Sequence, residues 1–345
     1  MRQLTTIVSI ILVVITAGPA GVCRLHSFLW TIRPAVAWAE PENPGPGLMS
    51  PGKAPGKVDI AHKELSRRVT DFAGYLDSFF DDQAYEAEAN TTRLKLRFNS
   101  FIEDGEGADF NTKIRLRLVL PGSKKRLHFS IAGDPDDEAD VDNSLDDGIR
   151  EDLEKENERS LSAGLRYFFT STDRRNLSLR TGLRLRGGSP VLKIGPRYRE
   201  TFSFAPWALR FTQTVDWFSG VGWETKSSFD LDRPLSDAFL FRATAEGSWF
   251  EDEDGFFYDL RMRLFQALTK RRVLQYEWNN YFETSPSHRL EETNFKVRYR
   301  QRIWREWLYF EVAPQVSFPR ENDFNATPGI LFRLEAFFGN LKDLK

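Results

Sequence analysis

The sequence predicts an all-β fold: a closed antiparallel transmembrane β-barrel of about 14 strands, preceded by a signal peptide, a Pro/Gly linker and one amphipathic helix. Three observations predict it. Side chains in a strand alternate faces, and Thr92, Leu94, Leu96 and Phe98 oppose Arg93, Lys95 and Arg97, as Ile114, Leu116 and Leu118 oppose Lys113, Arg115 and Arg117. This alternation recurs in nearly every segment from Asn90 onward, and no other element is long enough to cover so much apolar face, so lipid is the covering phase. Finally, the 345-residue chain combines a mean hydropathy of -0.46 with 29 Phe and 9 Trp. That balance suits strands wetted on one side with rings at the membrane interfaces, and no stretch after the N-terminus reaches the ~20 apolar residues of a spanning helix.

Residues 1–39 read as an export signal. Arg2 precedes an apolar run from Leu4 to Ala17, and Ala37-Trp38-Ala39 before Glu40 is an A-x-A cleavage pattern. Val22 stands where lipoprotein processing at Cys23 would require a small residue. Cleavage after Ala39 removes Cys23, the only cysteine, and with it any disulfide. Residues 40–57 interleave Pro41, Pro44, Pro46, Pro51 and Pro55 with glycines and read as a disordered linker. Over 58–82, Ala61, Leu65, Val69, Phe72, Leu76 and Phe79 or Phe80 fall on one helical face, which predicts a periplasmic amphipathic helix. Three roles fit that helix: a brace on the barrel rim, a plug acting through Leu65, Val69, Phe72 and Leu76, or a docking element for a periplasmic partner.

Turn signals divide 90–338 into strands near 91–102, 110–120, 124–133, 159–170, 177–187, 190–203, 209–218, 223–232, 239–250, 256–267, 272–282, 291–303, 307–318 and 328–338. An even number is what bacterial single-chain barrels require. The connections alternate between a short class, such as Ala205 to Ala208 and Thr269 to Arg272, and a more variable, more acidic class that includes Asp134 to Glu158 and Glu251 to Gly255. Short turns belong to the periplasmic side, so both ends of the barrel are expected there. Residues 339–345 form a tail.

In the last strand, GILFRLEAFF, Ile330, Phe332, Leu334, Ala336 and Phe338 alternate toward lipid. The strand resembles the C-terminal signal of bacterial outer-membrane proteins, with Gly339 to Lys345 following the final aromatic. The chain as a whole resembles the porin-like class of bacterial outer-membrane β-barrels, without the marks of one subfamily. The resemblance implies insertion by the barrel-assembly machinery and residence in the cell outer membrane, in contact with its lipid and lipopolysaccharide.

Parity assigns the lumen. On the first six strands Arg93, Lys95, Arg97, Lys113, Arg115, Arg117, Arg126, Arg166, Arg180, Arg184, Arg186, Lys193, Arg197 and Arg199 point inward, with no acid among them. From the seventh strand the inner face is mixed, with Asp216, Glu224, Lys226, Asp230, Asp232, Arg242, Glu246, Asp259, Arg261, Arg263, Glu277, Glu311 and Glu335; the twelfth supplies Lys296, Arg298, Arg300 and Arg302 after Glu292. A basic wall facing a mixed one sets up a transverse field, and rings of Arg and Lys favour anions. The opposing expectation is that these charges pair and fill the interior. At about 14 strands a narrow water-filled pore is expected.

The function so predicted is an outer-membrane channel passing small hydrophilic solutes, anionic ones included. The alternatives are a non-conducting anchor or assembly protein acting through the periplasmic helix, and a lipid-acting enzyme. His128-Phe129-Ser130 resembles the catalytic pair of the outer-membrane phospholipase A family, in which an Asn on a neighbouring strand orients the His. That family's site faces lipid. Here parity turns both residues to the lumen with no Asn in context, so an ordinary hydrogen-bonded pair is expected. The net charge of -2 by itself argues nothing about nucleic acid, and the Arg is spread over alternating strand positions rather than clustered in a patch, so no nucleic-acid partner is expected. No cofactor is expected, and His62 and His288 show no metal-ligand spacing. Asp134, Asp136, Asp137, Glu138, Asp140, Asp142, Asp146 and Asp147 make a solvated acidic loop whose Gly148 falls one place late for an EF-hand register.

Overall fold

The computed structural model describes residues 12–16, 24–28, 72–76, 79–80, 92–103, 107–120, 126–133, 161–172, 174–186, 189–304 and 307–339. The chain divides into two compact units, Met1–Ala54 and Pro55–Lys345. In the first, Leu12–Thr16 pairs antiparallel with Arg24–Phe28, within the segment read as an export signal. The linker prediction, most of the helix from 58 to 71 and the acidic loop with its calcium question lie outside the described residues.

The second unit contains a closed antiparallel barrel of 14 strands. These are β1 (Arg93–Glu103), β2 (Gly107–Val119), β3 (Leu127–Gly133), β4 (Leu161–Ser171), β5 (Arg175–Arg186), β6 (Ser189–Phe204) and β7 (Trp207–Phe218). Around the rest of the wall follow β8 (Gly222–Pro234), β9 (Phe239–Phe250), β10 (Phe257–Thr269), β11 (Arg272–Glu283), β12 (Arg289–Arg302), β13 (Leu308–Pro319) and β14 (Thr327–Gly339). Each strand pairs with its sequence neighbours, and β14 returns to β1 through Gly329↔Glu103 to Gly339↔Arg93. Closure satisfies the edge groups that an open sheet would leave bare in lipid.

Burial is inverted relative to a soluble protein. On β10, Leu260 and Met262 are 42% and 45% exposed while Arg261 and Arg263 between them are 2% and 3% exposed. The same holds around the wall: Ile114, Leu183, Leu192, Phe229, Phe295 and Leu334 face out, while Lys95, Arg197, Arg242, Arg300, Glu311 and Glu335 are buried. Apolar surface left in water costs ~25 cal/mol/Å², so a continuous apolar exterior belongs in hydrocarbon. Aromatics mark its two edges, with Phe204, Trp304 and Phe338 at one and Trp223 at the other.

The connections 120–126, 172–174, 205–206, 235–238, 270–271 and 303–307 share one end with Arg93 and Gly339, here called the short-turn end. At the opposite end, 134–160, 251–256, 284–288 and 320–326 are longer on the whole, although 104–106, 187–188 and 219–221 are short. The two rims differ in charge: Arg126, Arg174, Arg175, Lys270, Arg271 and Arg272 crowd the short-turn end, and Glu251, Asp252, Glu253, Asp254, Glu321 and Asp323 the other.

Phe72–Leu76 and Phe79–Phe80 are helical, and Ala73, Leu76, Phe79 and Phe80 form one buried cluster with Leu240, Phe265, Val273, Tyr309 and Phe337 of the barrel. These five barrel residues share the inward parity of Arg242, Arg263, Gln275, Glu311 and Glu335, all of them buried, so the segment packs against the inner wall at the short-turn end.

Candidate functional site: the lumen wall

On β8–β14 the inner face sets opposite charges in direct register on most strand pairs, the exception being β9–β10, where Arg242 stands across from Arg263 and Glu246 from Asp259. Asp232 lies across from Arg242, Glu277 from Lys296, Arg300 from Glu311, and Glu311 in turn from Arg333. Glu311 is a hub: Arg298 and Arg300 each approach it at 3.0 Å and Arg333 at 3.5 Å. Arg300 also donates to Glu335, which takes a second bond from Arg97 Nε at 2.9 Å across the closing seam. Arg242 binds Asp232 through Nε at 2.6 Å and Nη2 at 3.0 Å. Arg261 spans Asp259 at 2.5 Å and Glu246 at 3.4 Å. Buried carboxylates persist because each meets several donors.

The face of β1–β6 is built differently. Arg93 stands opposite Arg117, Lys95 opposite Arg115, Arg97 opposite Lys113, and Arg166 opposite Arg180. Like charges directly across a strand pair repel, so the register of these four pairs is itself unfavourable and calls for compensation from groups beside them. Among the described residues, acids reach this face from both flanking strands: besides Glu335 of β14, which accepts from Arg97, Asp216 on β7 passes over Gly195 on β6 to accept from Arg180 on β5 at 2.6 Å, with Lys193 at 3.5 Å. The glycine is what permits the crossing, since a Cβ there would lie 2.0 Å from Asp216 Oδ1.

The sequence-assigned residues fall largely where parity put them. Arg93, Lys95, Arg97, Lys113, Arg115, Arg117, Arg180, Arg184, Lys193, Arg197, Arg199, Arg298, Arg300, Glu246 and Asp259 face the lumen. Arg126 lies one residue before β3 begins, with its side chain exposed at the short-turn rim. The side chain of Arg186 lies outside the described residues, as do Leu65 and Val69 of the plug set. Phe72 and Leu76 join the helix–wall cluster, Leu76 fully buried. Four charged residues escaped sequence reasoning. Arg210 and Arg333 share the parity of Asp216 and Glu335 and are buried in the wall. Glu103 and Asp109 share the inward parity of the β1–β2 hairpin, beside the connection 104–106. They place acids at the mouth of the otherwise basic half.

His128 and Ser130 face the lumen as expected. His128 is buried with its ring 4.7 Å from Phe168, and the Ser130 hydroxyl donates to the Gly164 carbonyl at 3.5 Å. Among the described residues no group of three or more His, Cys, Asp and Glu is arranged to hold a metal.

An apolar exterior, a closed strand circuit and a charged interior define a membrane-spanning β-barrel of the bacterial outer-membrane type. No family model and no curated protein matches the chain. Among solved structures it is similar to the KdgM porin, at 10% identity over 71% of this chain and 99% of that one with a TM-score of 0.35. It is also similar to the outer membrane protein OpdK from Pseudomonas aeruginosa, at 10% identity over 72% and 98% with a TM-score of 0.42. A third is the outer membrane channel DcaP of Acinetobacter baumannii, at 8% identity over 72% and 96% with a TM-score of 0.40.

Proposed function

We propose that the barrel is an outer-membrane channel whose arginine-rich lumen favours anions and admits small hydrophilic solutes, with the short-turn end in the periplasm. The observation that carries this is the like-charge register of β1–β2 and β4–β5. Whatever local bonds each cation makes, rows of directly opposed cations lower their energy when anions and water enter beside them. The β8–β14 half, whose charges compensate one another locally, supplies the neutral side of a transverse field. An anion entering the pore is drawn toward β1–β6 and away from the carboxylates of Glu246 and Asp259. Assembly into the membrane by the barrel-assembly machinery and contact with lipid and lipopolysaccharide belong to the same proposal.

The reading of the barrel as an anchor that displays its helix to a partner needs the helix's apolar face free. Ala73, Leu76, Phe79 and Phe80 are instead buried against the wall, which counts against it. An enzyme reading through His128 and Ser130 would require phospholipid turnover that Ser130→Ala abolishes. The test of the channel is single-channel recording in planar bilayers under a KCl gradient. A barrel lacking residues 58–80 should give steady openings with a reversal potential on the chloride side, and Arg115→Glu with Arg117→Glu should move it toward potassium. Silence from a correctly folded, helix-deleted barrel, or cation preference before any charge is changed, would sink the proposal.

A further inference from the structure

One surface of the lumen has no role in moving a hydrated ion. Phe265, Tyr309 and Phe337 project inward among charged neighbours, and a wetted channel gains nothing from bare rings there. Each ring is paired with a guanidinium: Arg300 and Arg302 lie 4.7 and 5.5 Å from the Tyr309 centroid, and Arg93 lies 5.1 Å from that of Phe337. The chain's own Phe79 and Phe80 occupy this surface. Phe79 meets Tyr309 edge-on at 5.6 Å, and Phe80 meets Phe265 at 5.6 Å with Arg298 5.1 Å over its face.

We propose that this aromatic–guanidinium patch is a binding site for amphiphilic carboxylates, solutes with an aromatic or acyl body and one acid group, and that segment 72–80 is an internal competitor which such a solute displaces. The proposal rests on the channel reading for the route such a solute takes, though not for its binding. Phe80 shows the shape of the body the patch accepts, a ring between Phe265 and the Arg298 guanidinium. What Phe80 lacks is a negative charge. Arg302, whose Nε is buried with no hydrogen-bond partner, gives a carboxylate a charge-assisted bond that a phenylalanine cannot use. The segment is also imperfectly matched to its seat. The Tyr75 hydroxyl is buried without a hydrogen-bond partner, a penalty relieved whenever the helix leaves. A ring-bearing anion thus gains a contact on entry while the helix regains one on departure, so the two occupants exchange.

The exchange is read by thiol accessibility, which does not depend on ion flow. In a Cys23→Ser background, Ala73→Cys places a single small thiol in the buried cluster with every ring kept, and Leu76→Cys provides a second reporter if the first folds poorly. A charged maleimide should label the folded barrel about tenfold more slowly than the same reporter carrying Phe265→Ala and Phe337→Ala, because the docked helix must open first. Millimolar 3-phenylpropionate should raise the rate toward that of the ring-depleted barrel, whereas equal acetate should not. Labelling that is equally fast with and without the wall rings overturns the docking. Acceleration by 3-phenylpropionate no greater than by acetate overturns the ligand class. A helix-deleted barrel that passes no current would end the channel reading and leave the labelling result standing.

Discussion

Glu311→Gln offers the sharpest test of how the β8–β14 half is held. The carboxylate is fully buried and accepts from Arg298 at 3.1 and 3.2 Å, from Arg300 at 3.0 Å and from Arg333 at 3.5 Å. At an effective dielectric of about 20, one such contact is worth roughly 5 kcal/mol of gross Coulomb attraction, most of which offsets desolvation. Removing the charge leaves three guanidiniums facing one another around a neutral amide, the situation in which breaking a buried pair costs ~3–5 kcal/mol. The measurement is urea unfolding of the barrel in lipid vesicles, followed by tryptophan fluorescence and by heat-modifiable gel mobility. An expected loss of about 3 kcal/mol should shrink when Arg298→Gln is added, with a coupling above ~1 kcal/mol, and should add independently to that of Asp232→Asn, five strands round the wall. A loss under ~1 kcal/mol, or simple additivity with Arg298→Gln, would mean that lumen water solvates the cluster and that the contacts contribute little. The reasoning about a self-compensated half would then fail.

Gly195→Ala should destabilise the barrel by about 2–3 kcal/mol in the same unfolding assay, because the new Cβ meets Asp216 Oδ1 at 2.0 Å and the Val215 carbonyl at 2.2 Å. Gly247→Ala, with nothing within 4 Å, should be silent. Leu260→Arg on the lipid face should cost ~2–4 kcal/mol near the bilayer midplane, while Leu260→Phe should not; an unaffected Arg variant would contradict the assigned exterior. The charge difference between the rims should make current asymmetric in voltage at low salt. Neutralising Glu251, Asp252 and Asp254 should reduce the asymmetry, which should also fade near 1 M salt as the screening length falls to ~3 Å.

Much of the barrel could be read from the chain because its solvent alternates with its side chains. Period-2 patterning located Phe239–Phe250 to the residue and placed the buried Arg197, Arg242 and Arg300 on the inner side. Register was not legible, since which cation faces which depends on how each turn aligns its strands. Hence the opposition of Arg93 to Arg117 emerges only from the fold. Parity also held information that went unused: Phe265, Tyr309 and Phe337 share the phase of Arg263, Glu311 and Glu335, so an inward aromatic patch could have been found. A periodic apolar face says that a helix is covered and never by what, so the contact of Phe79 and Phe80 with the inner wall was not legible in the sequence. The bulge between Phe168 and Thr170 shifts the β4–β5 register, a local change that no alternating pattern announces.

The contrast between the two halves also bears on the order in which the circle is completed. The β1–β2 hairpin must bring three rows of like charge face to face, the arrangement least willing to form by itself. From β8 to β14 most new strands find carboxylates and guanidiniums waiting in register, β9–β10 being the exception with Arg242 across from Arg263 and Glu246 across from Asp259. A growing sheet that accretes from the C-terminal side therefore gathers attraction at nearly every step and defers the repulsive hairpin. When β1 does arrive, Glu335 is already positioned to receive Arg97, so the last contact to form is one that draws the ring shut.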